Sequence, residues 1–181
     1  MAVTCLLNQN LLRTANCGYS LFEVANLYLI NYDQLSGNPA ISSDEDGQDE
    51  VTGITLTTDS KAYKIVPAKN SASFSDELVV NDNGSKYRTA SLTFTVSGAY
   101  TKVAHAALDA LSLGRYTAVI QLSDGTYIML GRISPLEAET ATLNGGSEGS
   151  GMEITLSGNI AESALPLAQS AITQLLSYVA E

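Results

Sequence analysis

In SFSDELVVNDNGSKYRTASLTFTV (73–96), apolar and polar residues alternate on either side of Asn81-Asp82-Asn83-Gly84. A period of two puts one set of side chains on each face of an extended strand, and Asn, Asp and Gly tolerate the positive φ of a tight turn. The pattern predicts a β-hairpin over about 72–97, and it recurs along the chain. RYTAVIQL and TYIMLGR flank Ser123-Asp124-Gly125, which predicts a second hairpin over 115–132. In MEITLSG, Met152, Ile154 and Leu156 alternate with Glu153, Thr155 and Ser157. VANLYLINY (24–32) is apolar in both registers, as in a strand buried on both sides or at an interface. Further alternation comes from Ile54, Leu56, Tyr63 and Ile65, and from an acidic strand around Leu136 to Thr142. Strands of this kind must bury one face by layering, so the fold class is mainly β, built of antiparallel strands.

Two segments break the period. Tyr100, Val103, Ala104, Ala107, Leu108 and Leu111 recur at helical spacing, with Lys102, His105 and Asp109 opposite and Gly114 placed to end the helix. This predicts one packed amphipathic helix over about 99–113. A C-terminal helix over about 166–179 follows from Leu167, Ala168, Ala171, Ile172, Leu175, Leu176 and Val179, with Pro166 in its first turn. Between strands, DQLSGNPAISSDEDGQDE (33–50) holds six acids and no apolar period. A connection of that length is usually functional or disordered. The 181 residues suit one β domain over 1–181, with this acidic loop and a C-terminal helical extension over 166–181.

The chemistry-bearing motifs are few. Gly145-Gly146-Ser147-Glu148-Gly149 matches G-x-S-x-G, but a nucleophile elbow needs a strand before its serine, a helix after it and a later histidine. Here alternating residues stand on both sides, and the only histidine, His105, precedes Ser147. The same glycine run lacks G-x-G-x-x-G spacing and a following Lys-Ser or Lys-Thr, so no phosphate cradle is expected. The acidic run Asp44, Glu45, Asp46, Gly47, Gln48, Asp49, Glu50 has its glycine at the fourth position, whereas a calcium-binding EF-hand loop needs it at the sixth. Glu137 and Glu139 fall on one strand without an aromatic platform beside them. No catalytic, cofactor or metal site is expected, and the chain reads as a non-enzyme.

Nine Lys plus Arg against nineteen Asp plus Glu give a net charge of −10, which repels phosphate backbones and anionic membranes. No eighteen-residue apolar run crosses a bilayer, and MAVTCLLNQNLLRTANC is a poor signal peptide. Cytoplasmic synthesis, two reduced cysteines at Cys5 and Cys17 and an unmodified Asn83-Gly84-Ser85 sequon follow.

The order of elements carries a resemblance. FSDELVVNDNGSKYRTASLTFTVSG, then LDALSLGRYTAVIQLSDGTYIMLG, then LEAETATLNGGSEGSGMEITLSGNIAESALP resembles the tail tube proteins of long-tailed bacteriophages, which share their fold with tubes of contractile injection and type VI secretion systems. The likeness covers roughly residues 17–165. It implies a β-sandwich or barrel with a flanking helix, a hexameric ring of this chain with a continuous inner β-barrel, and rings stacked head to tail. Its partners would then be itself and other tail proteins, with DNA only as passing cargo, no membrane and no cofactor. It would reside in the virion tail, assembled in the host cytoplasm. The 33–50 loop, with Asp44, Glu45, Asp46, Asp49 and Glu50, matches the family's inter-ring loop. Glu139 and Glu153 become candidate lumen-facing residues, since after Arg132 the chain carries six acids and no Lys or Arg. A tail terminator, a head-to-tail completion protein or a minor virion protein of the same fold fits the same pattern. A cytoplasmic or surface β-sandwich binding module is the reading from outside this family.

Overall fold

The computed structural model describes residues 23–43, 49–97, 101–146 and 149–180. The positions Cys5, Cys17, Asp44, Glu45, Asp46 and Ser147 singled out above lie outside the described residues. The chain forms β1 (Val24–Asn31), a 3-10 turn (Tyr32–Gln34), β2 (Ala40–Ser43), β3 (Asp49–Gly53), β4 (Ala62–Ile65), β5 (Ser73–Val80) and β6 (Lys86–Ser97). Helix α1 (Lys102–Leu113) comes next, then β7 (Arg115–Leu122), β8 (Tyr127–Leu130), β9 (Leu136–Gly146), β10 (Gly149–Ile160), β11 (Leu165–Pro166) and α2 (Gln169–Ser177). The fold is mainly antiparallel β with two helices, as the alternation predicts.

Nine strands share one hydrogen-bonded sheet among the described residues, in the order β11-β8-β7-β9-β10-β6-β5, with β1 on the other side of β7 and β4 beyond it. The link between β7 and β9 is only Arg115 opposite Glu137 and Tyr116 opposite Leu136. At this narrow join the sheet turns over on itself. One side of the turn, β5-β6-β10-β9, packs Ala90, Leu92, Phe94, Ile154 and Leu156 against Leu27, Leu29, Ala118 and Ile120 of the other side, and all are buried.

The both-faced apolar strand β1 has its explanation here. Leu27 and Leu29 enter that first core, while Tyr28 and Ile30 point into a second core with Val51, Ile54, Val119, Ala171 and Leu175. The sheet containing β1 and β7 is therefore a middle layer, covered on its far face by β3 and α2. Each fully buried Leu, Ile or Phe contributes roughly 1.5–3 kcal/mol.

Two boundaries and one buried position differ from the sequence reading. The 33–50 segment contains a hairpin, with Ser42 opposite Glu50 and Ser43 opposite Asp49, because Ile41 and Val51 supply one apolar pair in an otherwise polar stretch. Its tip, 44–48, lies outside the described residues. Pro166 pairs with Ile128 in β11 instead of opening a helix, so α2 begins at Gln169. Leu176, placed on the buried stripe by its spacing, is 47% exposed.

Candidate functional site

The turned-over sheet β5-β6-β10-β9 has an inner face in the first core and an outer face of half-buried and exposed side chains. Alternation fixes what that outer face carries. Leu92, Phe94, Ile154 and Leu156 point inward, so their neighbours Ser91, Thr93, Thr95, Glu153, Thr155 and Ser157 point outward. Cross-strand pairing aligns these hydroxyls into rows. Thr93 sits opposite Thr155 with their Oγ1 atoms 3.0 Å apart, and Thr89 Oγ1 donates to Asn159 Oδ1 at 3.2 Å. On the flanking strands Ser73, Ser75 and Glu77 of β5, and Glu137, Thr140 and Thr142 of β9, continue the same face.

No Lys or Arg occupies an outward position of these four strands. Lys86 and Arg88 have the opposite parity, and Arg88 is held by Asp76, with Nε 2.6 Å from Oδ1. Asp76 is tied down a second time, its Oδ2 accepting from the backbone N–H of Ala164 at 2.8 Å. The result is a face dominated by small hydroxyls and carboxylates, with Val79 and Tyr87 at its β5-β6 hairpin end, whose cations are withdrawn to the other side of the sheet.

Of the two candidate lumen residues, alternation puts Glu153 on this face, and Glu139 stands at an irregularity of the neighbouring strand. Glu153 is exposed in regular strand, between Thr142 and Thr95. Glu139 is the extra residue of a β-bulge: Thr155 is opposite Thr140 but Leu156 is opposite Ala138, so Glu139 has no partner across the ladder. It too is exposed. Of the loop candidates, Asp49 and Glu50 begin β3 and are exposed, and Ser43 Oγ donates to Asp49 Oδ1. Loop and lumen candidates belong to different sheets.

Two edges of the four-stranded unit are open among the described residues. β5 is the last strand of its sheet and pairs only with β6. β9 has no second strand beyond Leu136 and Glu137, although α1 lies against it. Apolar side chains are left exposed at both edges: Leu78 (55%) and Val80 (56%) on β5, and Leu143 (54%) on β9. These positions sit at diagonally opposite corners. Thr93 is level with Ser73, Thr155 and Thr140, and from that row β5 runs one way along the strands while the open part of β9 runs the other. Sequence reasoning missed the open edges and the corner apolar residues, since pairing partners are not written in a strand's own alternation. The hydroxyl rows were legible from it.

The motif at Gly145–Gly149 is strand on both sides, Gly146 ending β9 and Gly149 opening β10. His105 lies on α1 with Nδ1 3.7 Å from Asp109 Oδ2, both exposed. Among the described residues there is no group of three or more His, Cys, Asp or Glu side chains able to hold a metal, and no helix long and apolar enough to cross a membrane.

No family model matches the chain, and no curated protein matches it. Among solved structures, the chain is similar to the SPP1 tail tube determined by solid-state NMR and cryo EM, at 11% identity and a TM-score of 0.34, over 84% of this chain and 83% of that one.

Proposed function

We propose that this chain is a structural, non-catalytic subunit of a bacteriophage tail tube. In this reading copies of it join side by side into a ring, hexameric in the resembled family, and rings stack into a conduit for DNA in the virion. The observation that carries the reading is the hydroxyl and carboxylate face on a four-stranded sheet with open edges at opposite corners. An open strand presents unpaired N–H and C=O groups and templates pairing with another chain. When β5 of one copy adds to β9 of the next, the contact is heterologous, and repeated heterologous contacts close as rings or run on as filaments.

The diagonal offset of the two edges staggers each copy against its neighbour, and a staggered sheet closes with tilted strands, as a barrel requires. Closing it with the hydrophobic face outward, against the middle layer, turns the polar face into the lining. A lining of carboxylates and small hydroxyls repels a polyanion and offers it no cation to bind. The same chemistry lets DNA slide.

Electron microscopy of the purified protein at high concentration tests the reading. Rings or tubes are expected. Leu78→Asp with Val80→Asp, at two exposed sites of the β5 edge, should leave the fold intact, since surface changes usually cost about 0.5 kcal/mol or less. It should abolish the rings, because it removes the apolar corner and sets charges on the edge strand that block its pairing with another copy. Rings unaffected by this variant, or a monomer at every concentration with tail partners present, would overturn the proposal.

A further inference from the structure

The two open edges of the four-stranded unit carry enough information to fix how they meet. Strand direction alternates from β5 through β6 and β10 to β9, every pair being antiparallel. In copies related by rotation about one ring axis, β9 of one and β5 of the next therefore run antiparallel as well, and the alternation continues across the joint.

Parity narrows the register. On β5, Phe74, Asp76 and Leu78 lie on the core side of the sheet, and Ser73, Ser75, Glu77 and Val79 on the polar side. Beyond the bulge at Glu139, Ala141 and Leu143 lie on the core side of β9, and Thr140, Thr142 and Asn144 on the polar side. A register one residue off sets core-side residues of one copy against polar-side residues of the next, so only every second register keeps both faces continuous.

One of these registers uses the whole open length of β9. It places Ser73 opposite Gly146 and Val79 opposite Thr140, with Val80 left at the bulge. A slip of two residues towards Leu136 would drive Val80 against Glu137, whose free side is already taken by Arg115 of β7. Closure disfavours the opposite slip. Ser73 is level with Thr140 within one copy, so pairing it with Gly146 of the next staggers successive copies by six residues. That is about 20 Å along the strands for about 19 Å across four of them, a tilt of about 45°, at the upper end of the range for closed barrels. A stagger of eight residues would raise the tilt to about 55°.

We propose that β5 of one copy pairs with β9 of the next in this register, with Glu77 opposite Thr142 on the polar side and Leu78 opposite Ala141 on the core side. The proposal rests on the tube reading and specifies its joint. Leu143, 54% exposed in the single chain, then lies diagonally between Phe74 and Leu78 of the neighbouring copy, within reach of both. Asp76, directly opposite Leu143, has its carboxylate occupied by Arg88 and by the N–H of Ala164. Glu139, the extra residue of the bulge, takes no part in the ladder.

Disulfide trapping tests the register in chains carrying Cys5→Ser and Cys17→Ser. Directly opposed residues have Cα atoms about 4.5–5.5 Å apart, within reach of a disulfide, whereas a pair two residues out of register exceeds about 7 Å and is not bridged. Within one chain β5 and β9 stand three strand spacings apart, about 14 Å, so every crosslink joins two copies. Leu78→Cys/Ala141→Cys and Glu77→Cys/Thr142→Cys are in register, and Glu77→Cys/Asn144→Cys is two residues out. Each is assembled, inspected by electron microscopy, oxidised and run on a non-reducing gel. The two in-register pairs should give ladders of crosslinked oligomers that a thiol reductant collapses, and the third should run as single chains. Glu77 and Thr142 are exposed, so their pair carries the test if the core-side pair does not fold. Rings or tubes in which the Glu77/Asn144 pair crosslinks, or in which neither in-register pair does, overturn the register and leave the tube reading standing. Absence of rings and tubes from the unaltered chain overturns the tube reading, and the joint with it.

Discussion

A β-carbon at Gly114 would lie 2.1 Å from Oη and 2.5 Å from Cζ of Tyr116. The φ of Gly114 is −90°, which any residue adopts, so this glycine ends α1 without a left-handed turn. What it provides is room for the buried Tyr116 ring, whose hydroxyl donates to Ala110 O at 2.8 Å and satisfies a carbonyl near the helix end. Gly114→Ala should lower the unfolding free energy by about 1–3 kcal/mol, the usual penalty for overpacking. In a double-mutant cycle with Tyr116→Phe the two effects should be non-additive, since Phe removes the closest atom; strictly additive denaturation midpoints would deny the clash. Tyr28 makes a pH prediction at the same scale. Burial first, and then Tyr127 stacked on it at 6.2 Å, push its pKa from 10.0 up to about 12. A raised acid pKa means the folded state holds the proton that the unfolded state releases. The associated stability is complete below pH 10 and lost as pH rises from 10 towards 12. Alkaline titration of the unfolding free energy should fall in that window, and Tyr28→Phe should reduce the slope there by about one proton; an unchanged slope counts against the burial of this hydroxyl.

At the scale of elements, α2 is held by contacts that its spacing only partly announces. Ala171 and Leu175 are buried against Val51 and Ile54, and Gln174 Oε1 accepts from Ile54 N–H at 2.8 Å while Ser170 Oγ donates to Thr52 O at 2.7 Å. Leu175→Ala should cost about 2–5 kcal/mol, and Leu176→Ala, at a site 47% exposed, about 0.5 kcal/mol or less. Chemical denaturation of the two variants checks this, and equal losses would mean that the helix is rotated from this orientation. Spacing alone predicted both leucines inside, because a helical stripe is read without knowing how wide a surface receives it. The two hairpins over β5-β6 and β7-β8 were legible for the opposite reason: their information is local, in alternation and in turn residues such as Gly84 (φ 79°) and Gly125 (φ 90°). The β2-β3 pairing and the use of Leu165-Pro166 as a strand were not legible, since short polar strands are specified by the partner they meet. For the candidate site, the parity of Glu153 could be read from Ile154 and Leu156. The bulge at Glu139 could not, because it exists only relative to β10.

For the whole molecule, the charge pattern matters more than any single acid. The exposed carboxylates of Glu137, Glu139 and Glu153 fall on or beside a face without outward cations, while Arg88 and Arg132 are consumed in ion pairs with Asp76 and Glu162. If this face lines a conduit, its field acts on cargo along the full length of the tube, since every stacked copy repeats it. Glu139→Lys with Glu153→Lys separates that role from folding. Glu139 is unpaired at a bulge and Glu153 is exposed between two threonines, so neither substitution breaks an ion pair, and the expected stability change is about 0.5 kcal/mol or less. Two reversals change each subunit by about four charges, and the lining then holds Lys side chains that bind phosphates and release counterions. Rings and tubes should form as before by electron microscopy, whereas DNA delivery by the assembled particle should slow, and slow most at low salt, where attraction to the polyanion is least screened. Unimpaired delivery through normal tubes would remove Glu139 and Glu153 from the lining. Failed assembly would place the two residues at a contact between copies.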